Sequence, residues 1–189
     1  VLGVLGKNNY ENRLVVFNKP NSTISESFRG LRSNIQFLLK RESKNKTILI
    51  TSSVSKEGKT MCALNLASVF ALSGKKTVII GFDLRKPQMH VEFDCKNDKG
   101  IVNYLIGDSN LEEVIQHSKI ENLDFIPSGP VPPNPSELIL SDATDTMFSD
   151  LKSKYEYIII DTPPVGLVAD AQELFKYSDA IVYMIRYNY

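Results

Sequence analysis

The chain has 189 residues, 42% of them hydrophobic and 23% charged, a balance that fits one compact domain and excludes a disordered or fibrous chain. Its 22 Lys and Arg cancel its 22 Asp and Glu, so no overall basic field marks nucleic acid as a partner, and any phosphate site has to be local. Cys62 and Cys95 stand apart without metal-ligand spacing, which favours packing thiols in a reducing compartment over a disulfide framework. No apolar run approaches the roughly 20 residues of a membrane-spanning helix.

In chain order, residues 1–21 show no clear periodicity, and Asn18-Lys19-Pro20-Asn21-Ser22 is turn chemistry that separates this lead-in from a main domain over 22–189. From Ser25, the residues Phe28, Leu31, Ile35, Leu38 and Leu39 recur at three- and four-residue steps, which predicts an amphipathic helix that starts at a Ser cap and ends near Lys40-Arg41. The charged run over 40–46 reads as a solvated helix end. Short β-branched runs at 47–51, 77–80, 157–160 and 180–185, with a helical stretch at 61–72, then predict buried strands alternating with helices. That alternation, without hairpin turn signals, argues for an α/β fold: a mostly parallel central sheet flanked by helices, with ligands beyond the carboxyl ends of the strands.

Three strand ends carry chemistry. Residues 53–60, Ser-Val-Ser-Lys-Glu-Gly-Lys-Thr, follow the first strand and open the next helix, the context of a phosphate-binding P-loop. In that reading the N–H groups of Ser55, Lys56, Glu57, Gly58, Lys59, Thr60 and Met61 cradle phosphates, Lys59 reaches the β- and γ-phosphates, and the Thr60 hydroxyl meets Mg²⁺. Asp161 ends the strand at 157–160 where an acid would face Mg²⁺. Asp83 follows the strand at 77–80, with Arg85 two residues on, and neighbouring strand ends would bring Asp83 and Asp161 to one nucleotide. His90 and His117 have no partner spacing for a metal or a nucleophilic triad and read as structural or surface residues.

These motifs together resemble the bacterial tyrosine kinases that control capsule and exopolysaccharide export, a family with a P-loop NTPase-like kinase domain. Gly58-Lys59-Thr60, Asp83-x-Arg85 and Asp161-x-x-Pro164 match the family's Walker A, Walker A′ and Walker B motifs, and the segment from Pro127 to Leu138 and the pair Asp170-Ala171 extend the likeness over nearly the whole chain. The resemblance implies an ATP-dependent protein-tyrosine autokinase using ATP and Mg²⁺, with Lys59, Asp83 and Arg85 catalytic and Thr60, Asp83 and Asp161 at the metal. It also implies a cytoplasmic domain at the inner face of the membrane, residues 1–21 being a juxtamembrane lead-in to a transmembrane activator region, its own or a separate protein's. Glu26-x-x-Arg29-x-x-Arg32 matches the family's oligomerisation motif, implying a homo-oligomeric ring with phosphorylation of C-terminal tyrosines in trans, opposed by a tyrosine phosphatase. From spacing alone the same charges read as a solvated helix face.

Two departures stand out. Gly81 occupies the place of the first Walker A′ Asp, which puts the burden on Asp83, and no tail cluster of tyrosines follows Tyr187 and Tyr189, as a C-terminal truncation would give. A partitioning or septum-site ATPase is the competing class; its signature Lys would stand where this chain has Val54. A non-catalytic nucleotide-binding scaffold is the third reading, kept open by Gly81.

Overall fold

A computed structural model describes residues 1–6, 12–39 and 44–187. Tyr10, Tyr189 and most of the charged run, Lys40 to Ser43, lie outside the described residues. The chain starts with helices α1 (Val15–Asn18) and α2 (Thr23–Leu38), then alternates β1 (Lys46–Ser52), α3 (Lys59–Leu72) and β2 (Thr77–Gly81). Short helices α4 (Met89–Glu92), α5 (Ile101–Leu105) and α6 (Leu111–Val114) lead to β3 (Gln116–His117) and β4 (Leu123–Ile126). Then come α7 (Pro135–Ile139), α8 (Asp142–Lys154), β5 (Tyr157–Asp161), α9 (Asp170–Glu173), a 3₁₀ turn at Phe175–Tyr177 and β6 (Ala180–Met184).

Among the described residues six strands form one sheet in the order β3-β4-β2-β5-β1-β6. All pairings are parallel except the short antiparallel β3–β4 contact. Alternation along the strands divides the core into two layers. Ile48 and Ile50 of β1, Ile79 of β2 and Ile159 of β5 pack with α1, α2 and α3 on one face. Leu49, Val78, Ile80, Ile158 and Ile160 face α5, α6 and α8 on the other. The continuous apolar runs of β1, β2 and β5 are thus strands covered on both sides. Helix α3 is buried all round, which explains its mostly apolar composition from Ala63 to Ala71, with Asn65 and Ser68 as buried polar exceptions that bond to backbone groups.

Three elements differ from the sequence expectation. Helix α2 begins at Thr23, because the Ser22 side chain accepts the Ser25 N–H at 3.2 Å and so caps the helix a turn earlier than Ser25. Within the lead-in, Leu14, Val15 and Val16 are buried in the same cluster as α2 and α3, and the Val16 N–H donates to the Asn65 side chain at 2.8 Å. Four helical residues are too few to show a period. Strand β6 is an edge strand that buries Val182 but leaves Ile181 and Tyr183 exposed, since it pairs only with β1 and no helix covers its second face among the described residues.

Candidate active site at the carboxyl edge of the sheet

The parallel register brings the three motifs together. Asp161 stands opposite Ile50 of β1 on one side and Gly81 of β2 on the other, and its carbonyl accepts the Phe82 N–H at 2.8 Å. The P-loop, the Walker A′ turn and the Walker B acid therefore share the centre of the sheet's carboxyl edge, where an open α/β sheet binds its ligand.

In the P-loop, Lys56 and Gly58 take positive φ values of 67° and 94°, turning the chain sharply before α3 starts at Lys59. Glu57 braces the loop: its carboxylate accepts the Val54 N–H at 3.0 Å and the Arg186 N–H beyond β6 at 3.2 Å. Burial opposes ionisation of Glu57, but these N–H donors outweigh it and hold the carboxyl below its ordinary value. The Ser53 hydroxyl lies 2.6 Å from the Tyr183 hydroxyl, a second tie between loop and edge strand. Gly166 leans on the loop from the other side, where a β-carbon would stand 2.3 Å from the Ser53 carbonyl oxygen. Tyr183 and Gly166 support the cradle without being visible in the motif spacing, and Glu57, named there for its N–H group, supports it through its carboxylate as well.

Lys59 is buried, and burial lowers its ammonium against the opposing pull of Asp161, Asp83 and Glu57. Asp161 is pushed up to about 7 by burial, with the Asp83 charge adding to the shift while the Thr60 hydroxyl, which donates to it, and Lys59 work against it. Its Oδ1 is buried without a hydrogen-bond partner. An orphaned carboxylate oxygen beside the Thr60 hydroxyl is the donor set a P-loop Mg²⁺ uses, so the residues present fit that ion. Among the described residues no group of three His, Cys, Asp or Glu could hold a metal without a nucleotide's help. Arg13, from the lead-in, also lowers Asp161 electrostatically and binds Glu92 at 3.3 Å and Gln88 at 3.1 Å. Nothing in the sequence around Arg13 marks it. Cys62, one turn into α3, is pushed up to about 12 by burial, which leaves it an inert packing thiol.

On the Walker A′ turn, burial raises the Asp83 carboxyl against the N–H groups of Lys86, at 3.0 Å, and Arg85 and the charge of Lys59. Gly81 is constrained by packing: it is absent from the positive-φ glycines, while an added β-carbon would stand 3.0 Å from Ser128 Oγ and 3.5 Å from Met89 Cε. The Ser128 hydroxyl donates to the Gly81 carbonyl at 2.7 Å. The side of the turn where a Walker A′ carboxylate would emerge is thus taken by Ser128. Arg85 makes a two-pronged bond with Asp170, Nε to Oδ2 at 2.7 Å and Nη2 to Oδ1 at 3.1 Å, and Ser136 joins both.

The residues that match the family's oligomerisation motif lie elsewhere, along α2. Arg29 pairs with Glu26 and donates to the Pro20 carbonyl at 2.8 Å, whereas Arg32 donates to the Val69 carbonyl of α3 at 3.2 Å. Glu26 is exposed and Arg29 half-buried, while Arg32 is partly committed to the domain's own packing.

The fold and site define a P-loop nucleotide-binding domain with its acids on adjacent parallel strands. Residues 45–189 match the AAA domain family. A putative tyrosine-protein kinase, CapB of Staphylococcus aureus, is 46% identical over 84% of the chain and 69% of its own length. Tyrosine-protein kinase YwqD of Bacillus subtilis is 39% identical over 93% and 73%. Among solved structures, the chimerical protein CapA2B2 superposes with a TM-score of 0.90 at 43% identity, over 97% of this chain and 79% of that one. The kinase domain of Escherichia coli tyrosine kinase ETK superposes with 0.93 at 29%, over 98% and 77%. The septum-site protein MinD of Pyrococcus horikoshii, complexed with Mg-ADP, reaches 0.63 at 25%, over 74% and 57%. The chain belongs to the bacterial tyrosine-protein kinases, the family that its motifs resemble, and its likeness to the septum-site ATPases is more distant.

Proposed function

We propose that this domain transfers the γ-phosphoryl group of ATP to protein tyrosine hydroxyls, its own among them, in the control of capsular or exopolysaccharide polymerisation and export. The observation that carries this is the meeting of Lys59, Asp161 and Asp83 at one edge, with the Asp161 Oδ1 unpartnered beside Thr60. Thr60 and Asp161 would hold Mg²⁺, with Asp83 near its shell; the bound ion would neutralise charge on the β- and γ-phosphates. The loop N–H groups from Ser55 to Met61 bind and orient the phosphates at the start of α3. Lys59 offsets the charge of the transferring group. Asp83, its carboxyl raised by burial, accepts or orients the proton of the tyrosine hydroxyl. Arg85 binds the incoming group or the phosphates from the same turn.

The family relationship supports the rest of the reading: a self-associating domain whose α2 face carries Glu26, Arg29 and Arg32, held at the cytoplasmic face of a membrane through residues 1–21 and an activator region, and reset by a tyrosine phosphatase. The decisive experiment is incubation with Mg-ATP and detection of phosphotyrosine by antibody and mass spectrometry, with Lys59→Met as control. Native protein forms phosphotyrosine, and Lys59→Met, still folded by circular dichroism, loses about 100-fold or more of it. Equal phosphotyrosine in the two proteins refutes the assignment of Lys59, and nucleotide hydrolysis without phosphotyrosine favours the partitioning ATPase.

A further inference from the structure

Three segments far apart in the chain converge on one guanidinium. Arg85 leaves the Walker A′ turn, Ser136 lies in α7 and Asp170 opens α9. Asp170 is only 2% exposed, and both of its oxygens are engaged: Oδ2 by Arg85 Nε at 2.7 Å, Oδ1 by Arg85 Nη2 at 3.1 Å and by the Ser136 hydroxyl at 2.7 Å. Ser136 Oγ in turn accepts from Arg85 Nη2 at 3.0 Å. Burial of Asp170 opposes ionisation, yet the Arg85 and Ser136 donors outweigh it and hold the carboxyl below its ordinary value.

The arrangement uses Nε and Nη2 and leaves Nη1 without a partner among the described residues, on a side chain that is 40% exposed. It also reaches Asp83, because the Arg85 and Lys86 N–H groups bond to the Asp83 carboxylate, and Asp83 and Arg85 attract one another directly. Fixing the Arg85 side chain therefore fixes the turn that presents Asp83. An ion pair with one partner buried and the other partly exposed adds little net stability, whereas a planar fork held at two points is well suited to aim a third. We infer that Asp170 and Ser136 are positioning residues that aim Arg85, and through the turn Asp83, for the phosphoryl transfer proposed above. This inference rests on that reading of the site.

The test is a cycle of Arg85→Ala, Asp170→Asn and the double variant, with phosphotyrosine formation and ADP release followed over a range of Mg-ATP concentrations and a thermal melt for each protein. Arg85→Ala should lose about 100-fold in kcat. Asp170→Asn should lose about tenfold in kcat, with KM for ATP changed by less than about twofold. The double variant should match Arg85→Ala alone, since no guanidinium remains to aim. Ser136→Ala should show a smaller loss, about threefold, in the same sense, and it carries the test if Asp170→Asn fails to fold. Native kcat in Ser136→Ala and Asp170→Asn with lowered melting temperatures would reduce the network to a structural bolt and overturn the inference. So would a double variant whose loss is the product of the single losses. An Arg85→Ala protein with native kcat removes Arg85 from the site and the inference with it. Native protein that forms no phosphotyrosine overturns the proposed function itself, an outcome visible before any variant is compared.

Discussion

The cost of burying Asp161 can be read out by replacing it with Asn in the metal-free protein. Its carboxyl moves from 3.8 to about 7 on folding, chiefly through burial. A folded value above the unfolded one means that the native state holds the extra proton between those limits. This group's contribution to stability is therefore greatest below the lower value, falls as pH rises through about 7, and is flat above it. Integrated over that range, the penalty for carrying the charge at pH 8 is about 4 kcal/mol. Asn removes the charge but keeps an unpartnered amide where Oδ1 is orphaned, which returns about 2 kcal/mol of the gain. At about 2–4 °C per kcal/mol for a chain of this size, Asp161→Asn should melt about 4–8 °C above native protein at pH 8 in EDTA. The difference should shrink toward zero near pH 5. Differential scanning calorimetry at the two pH values measures both, and adding Mg-ATP should reverse the order by stabilising native protein alone. A variant less stable than native at pH 8 in EDTA, or a difference independent of pH, would show that the carboxylate is not strained by burial.

Gly81→Asp should lower the melting temperature by about 2–8 °C, the effect of roughly 1–2 kcal/mol of overpacking against Ser128 and Met89. Part of that loss should return in a Ser128→Gly background; an unshifted melt for the single variant would mean that the turn adapts freely. On α2, Arg29→Ala should weaken self-association in sedimentation velocity while leaving stability within about 0.5 kcal/mol, because its partners are exposed or local. Arg32→Ala should also destabilise by about 1 kcal/mol through the freed Val69 carbonyl; unchanged association in both would return this face to solvent.

What the sequence made legible is what the parallel sheet imposes locally. Ile158, Ile159 and Ile160 had to be apolar on both faces to lie between two helical layers, and the strand ending in Asp161 follows from that run alone. Gly58 had to supply a positive φ before a helix, so the P-loop announced itself. Strand β4 did not, because it holds Asp124 in the middle of an apolar segment, satisfied by His117 at 2.6 Å and Tyr155 at 2.7 Å. His117, isolated in the sequence, has that partner only through the β3–β4 pairing. Helix α1 was invisible since its burial is decided by α2 and α3, not by its four residues. The segments around Ser136 and Asp170 could be matched to the family, but the contacts joining them to Arg85 span 51 and 85 residues of chain and leave no local signature.

The order of strands also sets a clock. The strand that launches the phosphate loop, β1, touches only β5 and β6 in the sheet, and Ile48 meets Ile159 and Ala180. The first of these partners lies 159 − 48 = 111 residues further along the chain. At about 5–20 residues per second, a ribosome takes about 6–22 s to deliver it. Over that interval β1 has no sheet neighbour to sit against, while β2 and β4, closer in sequence, can already pair. The nucleotide cradle is in this sense among the last parts of the domain to take shape during synthesis, and its apolar strand is the one that waits longest in the open.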